Sequence, residues 1–373
     1  MIRRQAGFSL VELMITMVVF VFFIVSASQV FTGLLTQFKQ QSKLAETNIE
    51  GMVGLEILRQ DIEHAGYGLP WYGLVAYSES NANPYSFNDS PSAPRAILSK
   101  NNATDTFNGS DYLVIKSVNV GGNDTCNRWT TLSSASPYVI TWTPSGENLV
   151  NSDRVIVLRP GSSDADGRTL VTSSTTFSTT YNNVTSSPWS PSDASETRIV
   201  YGVDPNSDLI MPFNRADYYI SAANVPGRCA SNTGVLMKGV VNNSTGSDGG
   251  DITTFLPLLD CVADMQVIYA LDNNEDGDFV DGAGSPADAY SDDITTAPLT
   301  AQQIRTRVKQ VRVYILAQEG QRDINYTYPT NPVTVGEFGL GRSFNFVTAG
   351  ITNWQNYRWK IYTIVVKPTN LLR

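Results

Sequence analysis

The sequence predicts an α+β protein: a long N-terminal helix, membrane-spanning in its first half, packed on a β-rich globular head with an antiparallel sheet. Three observations carry this reading. Phe8 to Val25 is an apolar run broken by one charge, Glu12. From Gln37 to Ile62 there is no proline, and apolar residues recur at helical spacing. After Pro70 the chain turns to short β-branched and aromatic runs separated by segments rich in Ser, Thr, Asn, Asp and Gly.

The N-terminal stretch organises the rest. A bilayer-spanning helix needs about 20 apolar residues, and after Glu12 the next charge is Lys39. Arg3 and Arg4 hold the leader in the cytoplasm by the positive-inside rule, so everything downstream lies outside. Glu12 is the costly feature, since a carboxylate in a membrane helix is penalised by roughly 2.5–3.5 kcal/mol on insertion scales. An ordinary secretory signal is cut after its apolar region. Here the small residue, Gly7, precedes that region, so the helix survives processing.

Gly7-Phe8-Ser9-Leu10-Val11-Glu12 resembles the class III signal of type IV prepilins and type II secretion pseudopilins. The resemblance implies that a membrane prepilin peptidase cuts after Gly7 and N-methylates Phe8. It also implies that Glu12 acts in assembly and that the apolar helix becomes filament core. Many major pilins bend this helix at a proline; this chain has none before Pro70.

Past the membrane segment the helix continues and becomes one-sided. Met52, Leu55, Leu58 and Ile62 fall on one face, widened by Val53 and Ile57, while Lys39, Lys43 and Glu63 fall mainly outside it. Gly51 and Gly54 weaken the helix locally by about 1 kcal/mol each against Ala. Gly66-Tyr67-Gly68-Leu69-Pro70 is the stop signal. A helix from Phe8 to near Ala65 is roughly 85–90 Å long. The chain therefore divides into a leader (1–7), a helix (8–66) and a head (67–373).

In the head, the runs beginning at Asp111, Arg154, Thr197, Asp217 and Gly234 read as strands. Ser78 to Asp105 and Gly161 to Ala194 read as long surface loops. Three later runs, Val262–Tyr269, Val311–Leu316 and Trp359–Val366, alternate as in a sheet with one face on a helix and one in water. This last set, closing near Asn370, resembles the minor pilins called PilW.

Composition excludes several functions. With 35 acidic against 26 basic residues the net charge is −9, which argues against nucleic acid as a partner. The single histidine, His64, falls at the helix end, where the helix dipole is its simplest role. There is no Gly-rich phosphate loop and no zinc spacing, so the sequence does not read as an enzyme.

The cysteines are Cys126, Cys229 and Cys261. Outside the cytoplasm a disulfide persists, and Cys229–Cys261 is the favoured pair because both flank strands; three buried thiols are the alternative. Closing that loop is worth roughly 3 kcal/mol. Asp272-Asn273-Asn274-Glu275-Asp276-Gly277-Asp278-Phe279-Val280-Asp281 matches the first half of a calcium loop, with oxygen side chains at alternate positions and a glycine at the sharp turn. Asp272, Asn274, Asp276, Asp278 and Asp281 are the candidate ligands. The twelfth position is Ala283, so Asp281 closes the shell, with Asp288, Asp292 or Asp293 as substitutes. A solvated acidic hairpin is the plain alternative.

These readings converge on a minor pilin. It is held in the inner membrane, processed, then joined to other minor and major pilins at or near the tip of a type IV pilus to initiate assembly. A head of roughly 300 residues, far beyond the usual domain size, crowds its neighbours if repeated along a shaft. The alternatives are a type II secretion minor pseudopilin and a calcium-dependent tip adhesin.

Overall fold

The computed structural model describes residues 9–80, 87–102, 104–161, 168–295 and 298–371. The helix is one element, α1, Leu10–Glu63, of 54 residues, or about 80 Å by its rise. Its Leu10–Lys43 part is long and apolar enough to cross a membrane, and every described side chain there is exposed rather than packed on the head. His64 caps the helix with its amide on the Gln60 carbonyl, and Gly66, at φ 83°, turns the chain away.

The head follows with strands β1 (Ile97–Lys100), β2 (Tyr112–Ser117), β3 (Trp129–Ser133), β4 (Arg154–Arg159), β5 (Thr169–Leu170), β6 (Thr179–Thr180) and β7 (Thr197–Gly202). Then come β8 (Asn214–Ser221), β9 (Gly234–Val241), β10 (Ile252–Leu271), β11 (Ala289–Ser291), a short helix α2 (Ala301–Arg307) and β12 (Val308–Glu319). The hairpin β13 (Val333–Val335) and β14 (Arg342–Phe344) precedes the last strand, β15 (Arg358–Val366). The strands form an eight-stranded sheet in the order β1-β2-β8-β9-β10-β12-β15, with β11 beside β10. A second sheet runs β3-β7-β4-β5, with β6 also on β4. All pairings between these strands are antiparallel.

The long strand β10 organises the main sheet. Its first half pairs with β9 and its second with β12, Met265 facing Ile315 and Val267 facing Val313. Helix α1 crosses β10, β12 and β15. Leu55, Leu58 and Ile62 bury themselves among Leu258, Met265, Val313 and Ile364. Two sequence expectations change here. Met52 and Val53 are 61% and 62% exposed, because the face turned to the sheet is the one carrying Gly51 and Gly54. A Cβ at Gly54 would lie 1.9 Å from the Leu258 carbonyl oxygen, and one at Gly51 would lie 2.9 Å from a Leu259 methyl. The glycines are where the helix backbone touches the sheet.

The late strands, moreover, do not have one face in water. Ile268, Tyr314, Leu316 and Trp359 on the far face are covered by Val335, Phe344, Phe346 and Ile351 from the β13–β14 region. The two expected long loops also hold structure: β1 lies within the first, β5 and β6 within the second.

Gly54→Ala tests the close approach. Helix propensity alone favours Ala by about 1 kcal/mol, whereas forcing a methyl onto the Leu258 backbone costs roughly 1–3 kcal/mol. Thermal melts of the full chain in detergent should show a lower Tm for Gly54→Ala. Gly33, with nothing within 4 Å, should accept Ala without loss. A Gly54→Ala chain as stable as its parent would contradict the contact.

Candidate functional site

The first candidate site is the start of α1. Ser9 is the N-cap: its side chain accepts the Val11 amide, and Glu12 reaches back to accept the Ser9 amide at 2.9 Å. This reciprocal capping box satisfies two of the helix's unpaired amides. The Ser-x-x-Glu spacing at residues 9–12 is a local signature of this cap, legible in the sequence alone. Gly7 and Phe8 lie outside the described residues. Glu12 nevertheless has its carboxylate on the amide adjoining Phe8, next to where cleavage after Gly7 would create a new amine.

The other end of α1 is fixed by polar contacts. Asp61 pairs with Lys238 of β9 at 2.6 Å and accepts the Tyr218 hydroxyl of β8. The chain's C-terminal segment returns to the same place, with the Thr369 amide on the Glu63 carbonyl at 2.9 Å and Leu371 in the core. The apolar segment thus leaves the head from a helix tied to the sheet at three levels: glycine contact, buried side chains and ion pair.

The acidic loop joins β10 to β11. Asp272 is fully buried; one oxygen accepts the Gly277 amide at 3.0 Å and meets the Lys309 ammonium at 3.2 Å, and the other has no partner. Gly277, at φ 105°, makes the turn. Asn274 and Asp276 bond each other, and Asp276 accepts the Asp278 amide at 3.3 Å. The Asp278 and Asn274 amides hold the Asp276 carboxyl below its usual range, while the Asp276 charge pushes Asp278 up. Asp281 does not join this group. It is exposed on the turn, and Asp288 takes the inner position, accepting the Asn273 and Val280 amides at 2.9 and 3.0 Å. Asp292 and Asp293 bond Gly341 and Thr295 instead. Among the described residues no three His, Cys, Asp or Glu side chains stand in metal-holding geometry.

Cys229 and Cys261 are joined in a disulfide, with Cα atoms 5.0 Å apart. Arg228 and Asp260, their immediate neighbours, pair at 2.7 Å, so the loop is tied twice. Cys126 is a buried free thiol on the Asn123 carbonyl, and burial pushes its pKa up to about 12.

Residues 2–28 match the prokaryotic N-terminal methylation motif. The chain thus carries a prokaryotic N-terminal methylation motif at the start of a long apolar helix that leads into an antiparallel β head. Among solved structures, a type IV-like pilin from Thermus thermophilus is similar at 12% identity and a TM-score of 0.22, over 43% of this chain and 68% of that one. No curated protein matches the chain.

The disulfide closes a separation of 32 residues, worth roughly 3–4 kcal/mol on the chain-entropy scale. Reduction should lower unfolding stability by that order. Thiol titration of the oxidised chain should find no reactive group until denaturant exposes Cys126. Peptide mapping that linked Cys126 to either partner would overturn the pairing.

Proposed function

We propose that this chain is a minor pilin, cut between Gly7 and Phe8 by a prepilin peptidase, stored in the inner membrane, and recruited by other pilins at or near the tip of a type IV pilus. Its role on this reading is structural rather than catalytic. The carrying observation is the methylation motif over residues 2–28, set on an exposed apolar helix whose far end is locked to a large head. A type II secretion pseudopilin uses the same N-terminus, and the tip position rests on the size of the head. The PilW likeness rests on the late strands alone.

Glu12 is the residue that separates membrane storage from assembly. In the single chain it is satisfied by its own Ser9 amide. In a bundle of such helices it can exchange that bond for the amine at Phe8 of a neighbour, which selects one axial register; register is the best-attested use of buried polar groups. Glu12→Gln keeps an acceptor for the cap and removes the charge, whereas Glu12→Val removes both. Mass spectrometry of the membrane fraction should find N-methylated Phe8 at the terminus of parent and variants, while co-purification with partner pilins falls for both variants. An intact Met1 leader on the parent chain would sink the processing step. Normal recruitment of Glu12→Gln would mean that charge pairing is not what docks the subunit.

A second reading concerns the acidic loop, which we propose takes a calcium ion through Asp272, Asn274, Asp276 and Asp278, with Asp288 closing the shell. The unpartnered buried oxygen of Asp272 and the mutual repulsion of Asp276 and Asp278 favour it; the Lys309 ammonium is the competitor. Calcium at about 100 times its Kd adds about 2.7 kcal/mol, a rise of several degrees in Tm for the full chain in detergent. Asp276→Ala should abolish the rise. A Tm indifferent to calcium and chelator would leave the loop a hydrogen-bonded hairpin balanced by Lys309.

A further inference from the structure

The second sheet begins with an edge strand whose outward face is aromatic. In β3 Thr130 and Leu132 point inward, while Trp129 opens the strand 36% exposed. The chain then doubles back, the Ser133 amide bonding the Tyr138 carbonyl and the Ile140 amide the Thr131 carbonyl. This brings Trp142 beside Trp129, with ring centroids 4.9 Å apart and planes at 48°. The Trp142 indole N–H is already spent on the Trp129 carbonyl at 2.7 Å. What Trp142 offers a ligand is therefore its carbon surface, beside the half-exposed Trp129 ring.

The two rings line an open cleft of about 600 Å³, whose rim carries Asp124, Asn127, Arg128 and Glu147. Arg128 leans on Asp153 at 3.5 Å. The side chains of Asp124 and Glu147 make no ion pair or side-chain hydrogen bond among the described residues, and both are exposed. Trp129 and Trp142 do not serve the core of this sheet, which is built from Leu132, Val155, Val157, Trp189 and Val200.

We propose that this cleft binds a neutral pyranose sugar. Such a ring has a face of C–H groups that lies on an indole, and equatorial hydroxyls around its edge. Aromatic faces with a few placed polar groups are the usual make-up of small-ligand sites. Ionised carboxylates supply acceptors only, and the Asn127 amide supplies both donors and an acceptor, so the rim suits hydroxyl donors. An anionic ligand, a phosphate or an acidic sugar, would meet Asp124 and Glu147 with the one nearby cation already engaged. A purely aliphatic ligand would strand the rim's acceptors. The cleft belongs to the sheet that packs beyond the C-terminal end of α1, where Tyr67 meets Tyr201 edge-on at 5.3 Å. That is the end of α1 opposite the apolar Leu10–Lys43 segment. The inference does not rest on the pilus reading.

The test uses the full chain in a detergent without a sugar headgroup, titrated with the methyl glycosides of glucose, galactose, mannose and N-acetylglucosamine. Tryptophan fluorescence and saturation-transfer NMR report binding. At least one glycoside should saturate with a Kd of about 1 mM. Trp142→Ala should weaken it about tenfold or more, Trp142→Phe by much less, and Glu147→Ala, at an exposed position, by several-fold. No saturable response to any of the four up to about 50 mM would overturn the proposal. Binding left unchanged by both Trp142→Ala and Glu147→Ala would also overturn it.

Discussion

At Gly54 the backbone of α1 runs against the backbone of β10 with no room for a side chain between them. That contact fixes where a helix of about 80 Å stops being an anchor and becomes part of a folded domain. Above it, Leu55, Leu58 and Ile62 are buried and Asp61 reaches Lys238. Below it, the described side chains are exposed. Apolar side chains gain nothing from one another in lipid that they do not gain from the acyl chains. The grip between helix and head must therefore be made entirely in the last three turns, which is why sheet, glycines, ion pair and returning C-terminus all meet there.

That division explains which features were legible. The apolar run and the Gly7-Phe8 junction are local patterns, and so is the helix that follows. The face of the helix was not, because Met52 and Val53 satisfy the same periodicity as Leu55 and Leu58. What decides between them is Leu258, some 200 positions away, which admits glycine and nothing larger. The late strands were found by alternation. Their second face was read as solvated because its cover, Phe344, Phe346 and Ile351, comes from a stretch without regular patterning of its own. In the acidic loop the spacing locates the turn at Gly277, while which carboxylate lies inward is set by the hairpin: Asp288 rather than Asp281, because the amides at Asn273 and Val280 point at it.

The main sheet also carries charge where its sequence suggested only β-branched cover. Lys116 lies fully buried between Glu79 at 2.5 Å and Asp89 at 2.6 Å, and Arg215 pairs with Asp217 at 2.7 Å while Tyr112 donates to the same carboxylate. Arg342 of β14 reaches Asp264 of β10 at 2.9 Å. Buried pairs of this kind add little net stability, yet removing one partner costs about 3–5 kcal/mol. Their effect is to make each segment's position conditional on another: the loop at Asp89 on β2, and the covering hairpin on β10. Each of these buried acids faces a base, so the pairs are internal wiring and leave the net charge of −9 to the rest of the molecule.

The two ends of α1 then obey opposite requirements. At Asp61 the carboxylate has permanent partners within the chain, and the helix cannot leave the head without stranding it. At Glu12 the partner among the described residues is the Ser9 amide at the exposed start of the same helix. The Glu12 bond is local and exposed, so nothing in the fold closes that carboxylate off from a partner outside the chain, whereas the Asp61 pair is sealed between helix and sheet.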